Sequence, residues 1–519
     1  MKLVTSEQMR NLDKAAIDEF GISSLSLMER AGTALAEFVA HHFASKRGAI
    51  AVLVGRGNNG GDGLVAARLL IERGYEVHIF LTSPVLELSP DCRANWERLV
   101  TLKPTYFQIN DASDLKIHSI AIARCACVID ALFGTGLSSE VKHPHREIID
   151  FVNALKIPIV AADIPSGLSS DTGLPLGKAV MARWTVTFGL PKQGLFIGRG
   201  PEYSREVIIA DIGFPKEAVD RIDTKLHLID PSLFAEHFKE RDPRSHKGDF
   251  GHAVVIAGSG GKLGAGYLTS MGALRSGCGL VTYALPDQTF TKFDARYPEI
   301  MAQSIPDKGR GHLHPAGVNF TLDLIRDKTV VAVGPAIGTH DDTRSFVTDI
   351  VKRAHLPIVI DADGLNVLAD HLNILDHRQA ETILTPHPGE MARLMKTENA
   401  KKEEERLPLA VKLATTHHVH VVFKGHLTIV ATPHGEAFIN PTGNPAMATA
   451  GMGDALTGII AGFLAQGMSA TVAAIAGVYC HGLAGDLAAK QFGDRGVVAS
   501  DVIKLLPEAI RQATASSPL

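Results

Sequence analysis

The sequence predicts two α/β domains in tandem, each a mainly parallel sheet covered by helices. Three observations carry this. The chain has 519 residues, beyond the size at which a single hydrophobic core stops growing. Short β-branched apolar runs alternate with helical stretches twice, once in the first two hundred residues and again from about residue 250. A polar, proline-bearing stretch, DPSLFAEHFKERDPRSHKGD, lies between the two rhythms. The boundary is placed at 220/221, inside a window of 215–240.

Taken in order, MKLVTSEQMRNLDKAAIDEF reads as an extended lead into an amphipathic helix, without the apolar centre of a signal peptide. AIAVLVG is a strand, and Arg56–Gly63 a glycine-rich binding loop. GLVAARLLIERG is a helix ending at Gly74, and YEVHIFL, CACVIDALFG and IPIVAADIPSG are further strands. Cys125 and Cys127 are expected on one face of their strand. In the second half HAVVIAG, VVAVG, IVIDADG, TILTPHPGE and VVFKG are strands, while AGYLTSMGALRSG and ATVAAIAGVYCHGLAGDLAAK are helices.

Hydrophobic residues make up 45% and charged residues 21%, with a net charge of −4. That is a globular composition with no positive excess for nucleic acid or an anionic membrane, so neither is expected as a partner. Five cysteines, an odd and sparse set, argue against a disulfide framework and for buried thiols. No uninterrupted apolar run is expected to cross a bilayer, which makes the cytoplasm the default location.

In parallel sheets ligands bind beyond the carboxyl ends of the strands, and the unusual residues of both halves sit there. In the first half the glycines of Arg56–Gly63 permit close backbone approach, and the following helix start offers free amides. The plain alternative is a tight strand-to-helix turn. Asn59, Asp130 and Ser166 converge if the sheet is parallel, an oxygen set suited to a hard cation. Asp130 and Asp163 each also read as ordinary helix caps. GNNGGDG, an FGTGL after a strand-end Asp, DIPSGL and the opening T-x-x-Q-M-R-x-L-D together resemble the NAD(P)HX epimerase domain over residues 1–215. The resemblance implies a Rossmann-like three-layer αβα fold acting on hydrated NADH or NADPH. It implies that Asn58, Asn59, Gly60, Gly61, Asp62, Gly134, Thr135, Gly136, Leu137, Ser138, Ser139 and Glu140 line the substrate. It further implies a potassium ion on Asn59, Asp130 and Ser166, and a catalytic Asp163 at the reacting ring. The same fold occurs in non-catalytic interaction proteins, including an mRNA-decapping scaffold.

In the second half an apolar helix follows the glycines of Asn444–Gly458 directly. Amides at Gly451–Gly453 would form an anion hole, with Asp454 placed to deprotonate an attacking hydroxyl. The plain alternative is a glycine-started helix with Asp454 as a first-turn anion. SHKGDFGHAVVIAGSGGKLGAG, GPAIGT, DADGLN, LTPHPGEMARL, VFKGHLT and NPAMATAGMGDALTG run in order through residues 245–511. They resemble the ribokinase-like superfamily and, within it, the ADP- or ATP-dependent NAD(P)HX dehydratase. The resemblance implies nucleotide contacts from Lys424, Gly425, His426, Leu427, Thr428 and Gly453. It implies hydrated-cofactor contacts from Ala253, Gly338, His387 and catalytic Asp454. Asp361 and Asp363 read as helix caps and stay outside this set. The resemblance further implies ADP as phosphoryl donor, because within that family the fused arrangement goes with ADP and separate eukaryotic forms use ATP, and magnesium is expected to accompany the nucleotide. A homo-oligomer is expected. The competing reading is a small-molecule kinase of the same superfamily fused to a binding or scaffold domain.

Overall fold

The computed structural model describes residues 1–45, 48–293 and 297–515. It divides into two compact units, Lys2–Thr224 and the remainder from Lys225 together with Met1.

The N-terminal unit is built on β1 (Ile50–Val54), β2 (Val77–Leu81), β3 (Thr105–Gln108), β4 (Cys127–Ala131), β5 (Ile159–Ala162), β6 (Trp184–Phe188) and β7 (Glu206–Ala210). They form one parallel sheet in the order β3-β2-β1-β4-β5-β6-β7. Every residue of β1 and β4 is buried, as a parallel sheet covered on both faces requires. Alternate side chains feed two cores. Ile50, Val52 and Val54 pack with the Ser24–His42 and Asn58–Glu72 helices. Ala51 and Leu53 pack with the Ala112–Ala123 and His145–Ala154 helices. The result is three layers. Cys127 lies in the first core, whereas Cys125 sits in the turn before β4 and packs into the second. The two thiols do not share a face, because the strand starts two residues later than the run CACV suggests.

The glycine-rich segment also departs from expectation. It is not a loop: the helix starts at Asn58, with Gly57 as its N-cap. A Cβ on Gly60 would stand 2.0 Å from the Gly55 carbonyl oxygen, and one on Gly63 2.6 Å from the Ala131 Cβ. The glycines let the helix lie against the strand ends.

The C-terminal unit contains β8 (Leu226–Leu228), β9 (His252–Ile256), β10 (Leu280–Pro286), β11 (Met301–Ile305), β12 (Val330–Val333), β13 (Ile358–Ile360), β14 (Thr382–Leu384), β15 (His420–Phe423), β16 (Ile429–Ala431) and β17 (Ala437–Ile439). The sheet order is β11-β10-β9-β12-β13-β14-β15-β16-β17-β8. It is parallel from β11 through β15, and β16 runs antiparallel to both its neighbours. The Gly264–Arg275 and Met452–Ala465 helices meet at backbone distance, since a Cβ on Gly458 would lie 1.9 Å from the Thr269 carbonyl oxygen. One helix, Ala470–Phe492, is long and apolar enough by length and composition to cross a membrane, though His481, Asp486 and Lys490 interrupt its apolar run. Alanine and glycine carry its hydropathy, and 67% of its apolar window is buried inside this unit.

Candidate active sites

The N-terminal unit holds a cavity of about 630 Å³ at the carboxyl end of its sheet, lined by Asn58, Asn59, Asp62, Gly134–Ser139 and Asp163 among others. Asp163 follows β5 with φ +63°. One of its oxygens accepts from the Phe188 amide at 3.1 Å, the Thr187 hydroxyl at 3.2 Å and the Lys192 ammonium. Lys192 is only 1% exposed. Its other contacts are the Thr187 hydroxyl at 3.2 Å and the Phe188 carbonyl at 2.8 Å, so its buried charge is hydrogen-bonded as well as paired. Burial pushes the Asp13 carboxyl up to about 6 and Asp62 well above the usual carboxylate range, with the charge of Asp163 adding to both.

Behind the cavity lies a second oxygen cluster. Asp130, inside β4 and fully buried, accepts from the Ser166 amide at 2.8 Å and its hydroxyl at 2.6 Å. Ser166 Oγ accepts from the Phe133 amide at 2.9 Å, and Asn59 Nδ2 donates to the Phe133 carbonyl at 3.0 Å. Asn59 Oδ1 is buried without a hydrogen-bond partner among the described residues. Burial raises the Asp130 carboxyl to about 6.

In the C-terminal unit Gly451, at φ +89°, starts the Met452–Ala465 helix, and Asp454 stands in its first turn. Burial, reinforced by Asp361, raises the Asp454 carboxyl to about 6, against the pull of Lys424. Lys424 directly follows β15. Its ammonium donates to Asp361 Oδ1 at 2.6 Å and lies 3.8 Å from a Glu390 oxygen. The other Asp361 oxygen accepts from the Thr457 hydroxyl at 2.8 Å. A Cβ on Gly453 would be 3.3 Å from Lys424 Nζ, so the cation sits beside the helix start. Helix-start amides and an ammonium give this end the chemistry to receive a phosphate, with a carboxylate at its rim.

A family model described as NAD(P)H-hydrate dehydratase matches residues 253–508, and one described as YjeF-related protein N-terminus matches 24–194. The bifunctional NAD(P)H-hydrate repair enzyme of Moorella thermoacetica is 39% identical over 98% of this chain and 97% of its own length. The enzyme of the same name from Escherichia coli K12 is 32% identical over 97% and 93%. The chain belongs to the family of bifunctional NAD(P)H-hydrate repair enzymes. It is an α/β fold of two domains that joins hydrate epimerisation and dehydration in one polypeptide. Among solved structures, the Bacillus subtilis ADP/ATP-dependent NAD(P)H-hydrate dehydratase co-crystallised with ATP and magnesium is 28% identical, covering 54% of this chain and 97% of that one at a TM-score of 0.46.

In this repair enzyme the structure brings Asn59, Asp130 and Ser166 together around the Phe133 peptide. Asn58, Asn59, Asp62, Gly134, Thr135, Gly136, Leu137, Ser138, Ser139 and Asp163 line one cavity. Gly60 and Gly61 do not: they face Gly55 and Met28 in helix packing. Glu140 also lies off the lining, its side chain against Gly177. Gly425–Thr428 folds over buried Arg406, whose guanidinium donates to the His426 carbonyl at 2.5 Å. Gly338 donates its amide to Asp363 at 2.9 Å. His387 caps the Pro388–Met395 helix, with Nδ1 accepting from the Gly389 amide at 2.9 Å. Burial and then Lys424 lower its pKa. Ala253 is not brought to the ligand edge. It is fully buried in the core, in the amino-terminal half of β9. Asp361 is no cap but the buried partner of Lys424. Sequence reasoning missed it, and it missed Asp13 and Lys192. Asp13 carried a signal: it shares the buried stripe of Met9, Leu12 and Ala16 on an amphipathic helix.

Proposed function

We propose that residues 1–220 epimerise the R and S hydrates and that residues 221–519 dehydrate the S form with ADP, giving AMP and phosphate. The observation that carries the second assignment is Asp454 in the first turn of a glycine-started helix, next to the Lys424–Asp361 pair. Asp454 takes the proton of the carbon 6 hydroxyl as that oxygen attacks the terminal phosphorus. The phosphorylated oxygen is a better leaving group than hydroxide. The ring nitrogen's electron pair expels it as inorganic phosphate, and loss of a proton from carbon 5 restores the dihydropyridine. Lys424 and the helix amides stabilise charge on the transferring group. Magnesium, bound with the nucleotide, would neutralise phosphate charge.

In the N-terminal unit Asp163 is held by Lys192 and two hydrogen bonds where it can act on the carbon 6 hydroxyl. The oxygens of Asn59, Asp130, Ser166 and the Phe133 carbonyl fit a potassium ion: a lone carboxylate with neutral oxygens suits a large monovalent cation, and Asn59 Oδ1 lacks any other partner. The ion would fix the Phe133–Gly134 turn that borders the cavity.

ADP is the proposed donor because a site set for two phosphates leaves ATP's third colliding with the hydroxyl, while transfer needs reacting atoms ~3–3.5 Å apart. The test is NADPH recovery from its S hydrate with ADP or with ADP-free ATP. ADP should give AMP and phosphate in step with NADPH, and ATP should be poor or inhibitory. Faster recovery with ATP overturns the choice of donor.

A further inference from the structure

The cavity of the N-terminal unit gathers three carboxylates, Asp13, Asp62 and Asp163, around one ammonium, Lys192. That ammonium is fully engaged by Asp163, Thr187 and Phe188. Asp163 is the member paired with Lys192, and it accepts further hydrogen bonds from the Thr187 hydroxyl and the Phe188 amide. Among the described residues neither Asp13 nor Asp62 has an ion-pair partner. Asp62 lies deeper, beside the buried Cys92 thiol. Asp13 comes instead from the Ser6–Asp18 helix, whose neighbouring residues Asn11 and Lys14 are exposed, so its proton can exchange with water.

We propose that Asp13 is the second catalytic group of the epimerase site, the general acid that works opposite Asp163. This rests on reading the cavity as that site. Epimerisation requires both an acid and a base. The Asp13 carboxyl gives its proton to the carbon 6 hydroxyl. The C6–O bond breaks, its electron pair leaves with oxygen as water, and the ring nitrogen's lone pair closes an N1=C6 iminium. Water then adds to the other face of carbon 6, the π pair returns to nitrogen, and the surplus proton passes to Asp163. The two carboxyls have exchanged protonation, which is the state needed for the reverse epimerisation, and exchange with solvent resets them. Burial, with the charge of Asp163, holds the Asp13 carboxyl up at about 6 while Lys192 opposes this. The other charged groups on the cavity wall are Asp62, Asp91, Arg10 and Arg56. Pairs of titratable groups pushed apart by their surroundings mark acid and base roles.

The experiment follows conversion of the R to the S hydrate by the full chain, without nucleotide, resolved by chromatography and corrected for spontaneous exchange. Asp13→Asn should lower the rate at least ~10²-fold. It should also abolish the fall in rate expected of the intact enzyme as pH rises through about 6. Asp13→Glu should restore most of the activity. A thermal melt and the far-ultraviolet circular dichroism of the same samples report folding of the unit that carries Asp13. Asp13→Asn protein as fast as the intact enzyme overturns the proposal, and so does a slow variant with an unchanged pH profile, which marks a structural role. Asp163→Asn run in parallel separates the two levels: if it keeps full activity, the reading of the cavity itself fails.

Discussion

Asp454 must be ionised to take a proton, and its surroundings work against ionisation. Burial and the neighbouring Asp361 lift its carboxyl from the ordinary 3.8 to about 6. The base is therefore present above that pH and lost as pH falls through it. Dehydration should decline on the acid side, roughly tenfold per unit once well below about 6, with the rate measured at saturating nucleotide. Asp454→Asn keeps the shape and removes the base, so S-hydrate dehydration should drop at least ~10²-fold while epimerisation continues. A variant that recovers NADPH at the normal rate sinks the assignment. The raised value is also useful, because a general base gains from a pKa close to working pH. Lys424 serves two ends at once. It neutralises buried Asp361 and leaves its positive field at the helix start.

The strands were legible because β-branched runs ending in glycine or proline have few other uses, and β1, β2, β4, β5, β9 and β12–β15 lie on runs that read as strands. The three-residue β8 and β17 carry no such pattern, and their pairing is decided by tertiary contacts, while β16, Ile429-Val430-Ala431 before Pro433, carries it but was passed over. Asn58–Gly63 was misread for a physical reason: glycine signals freedom of backbone, yet here it supplies absence of side chain. Gly60→Ala tests this, since its Cβ would fall 2.0 Å from a carbonyl oxygen that cannot move aside. The expected outcome is loss of stability at or above the ~1–3 kcal/mol of ordinary overpacking, together with loss of R-hydrate conversion. A thermal melt and epimerase rate matching the intact protein would show the segment to be the loose loop it resembles. The site itself was only half legible. Asn59, Asp130, Asp163 and Asp454 stand in recognisable motifs, while Asp361 and Lys192 acquire meaning only from partners 63 and 29 residues away.

At the level of the whole chain, each unit carries its own core and its own chemistry. If the S hydrate passes between them by ordinary diffusion, the activities complement in trans. Asp163→Ala alone should leave R hydrate behind, and Asp454→Asn alone should leave both epimers. A mixture of the two variants should recover NADPH from both epimers nearly as fast as intact protein at equal site concentration. Failure of the mixture would mean that the product of one site must be retained by its own chain. A different property is common to both units. Cys92, Cys125, Cys127, Cys278 and Cys480 are all buried, and burial raises every one of their thiol pKa values. Peroxide and electrophiles attack thiolates that solvent can reach. The folded chain offers them none, so an enzyme that restores a reductant keeps its own thiols out of the oxidative traffic it serves.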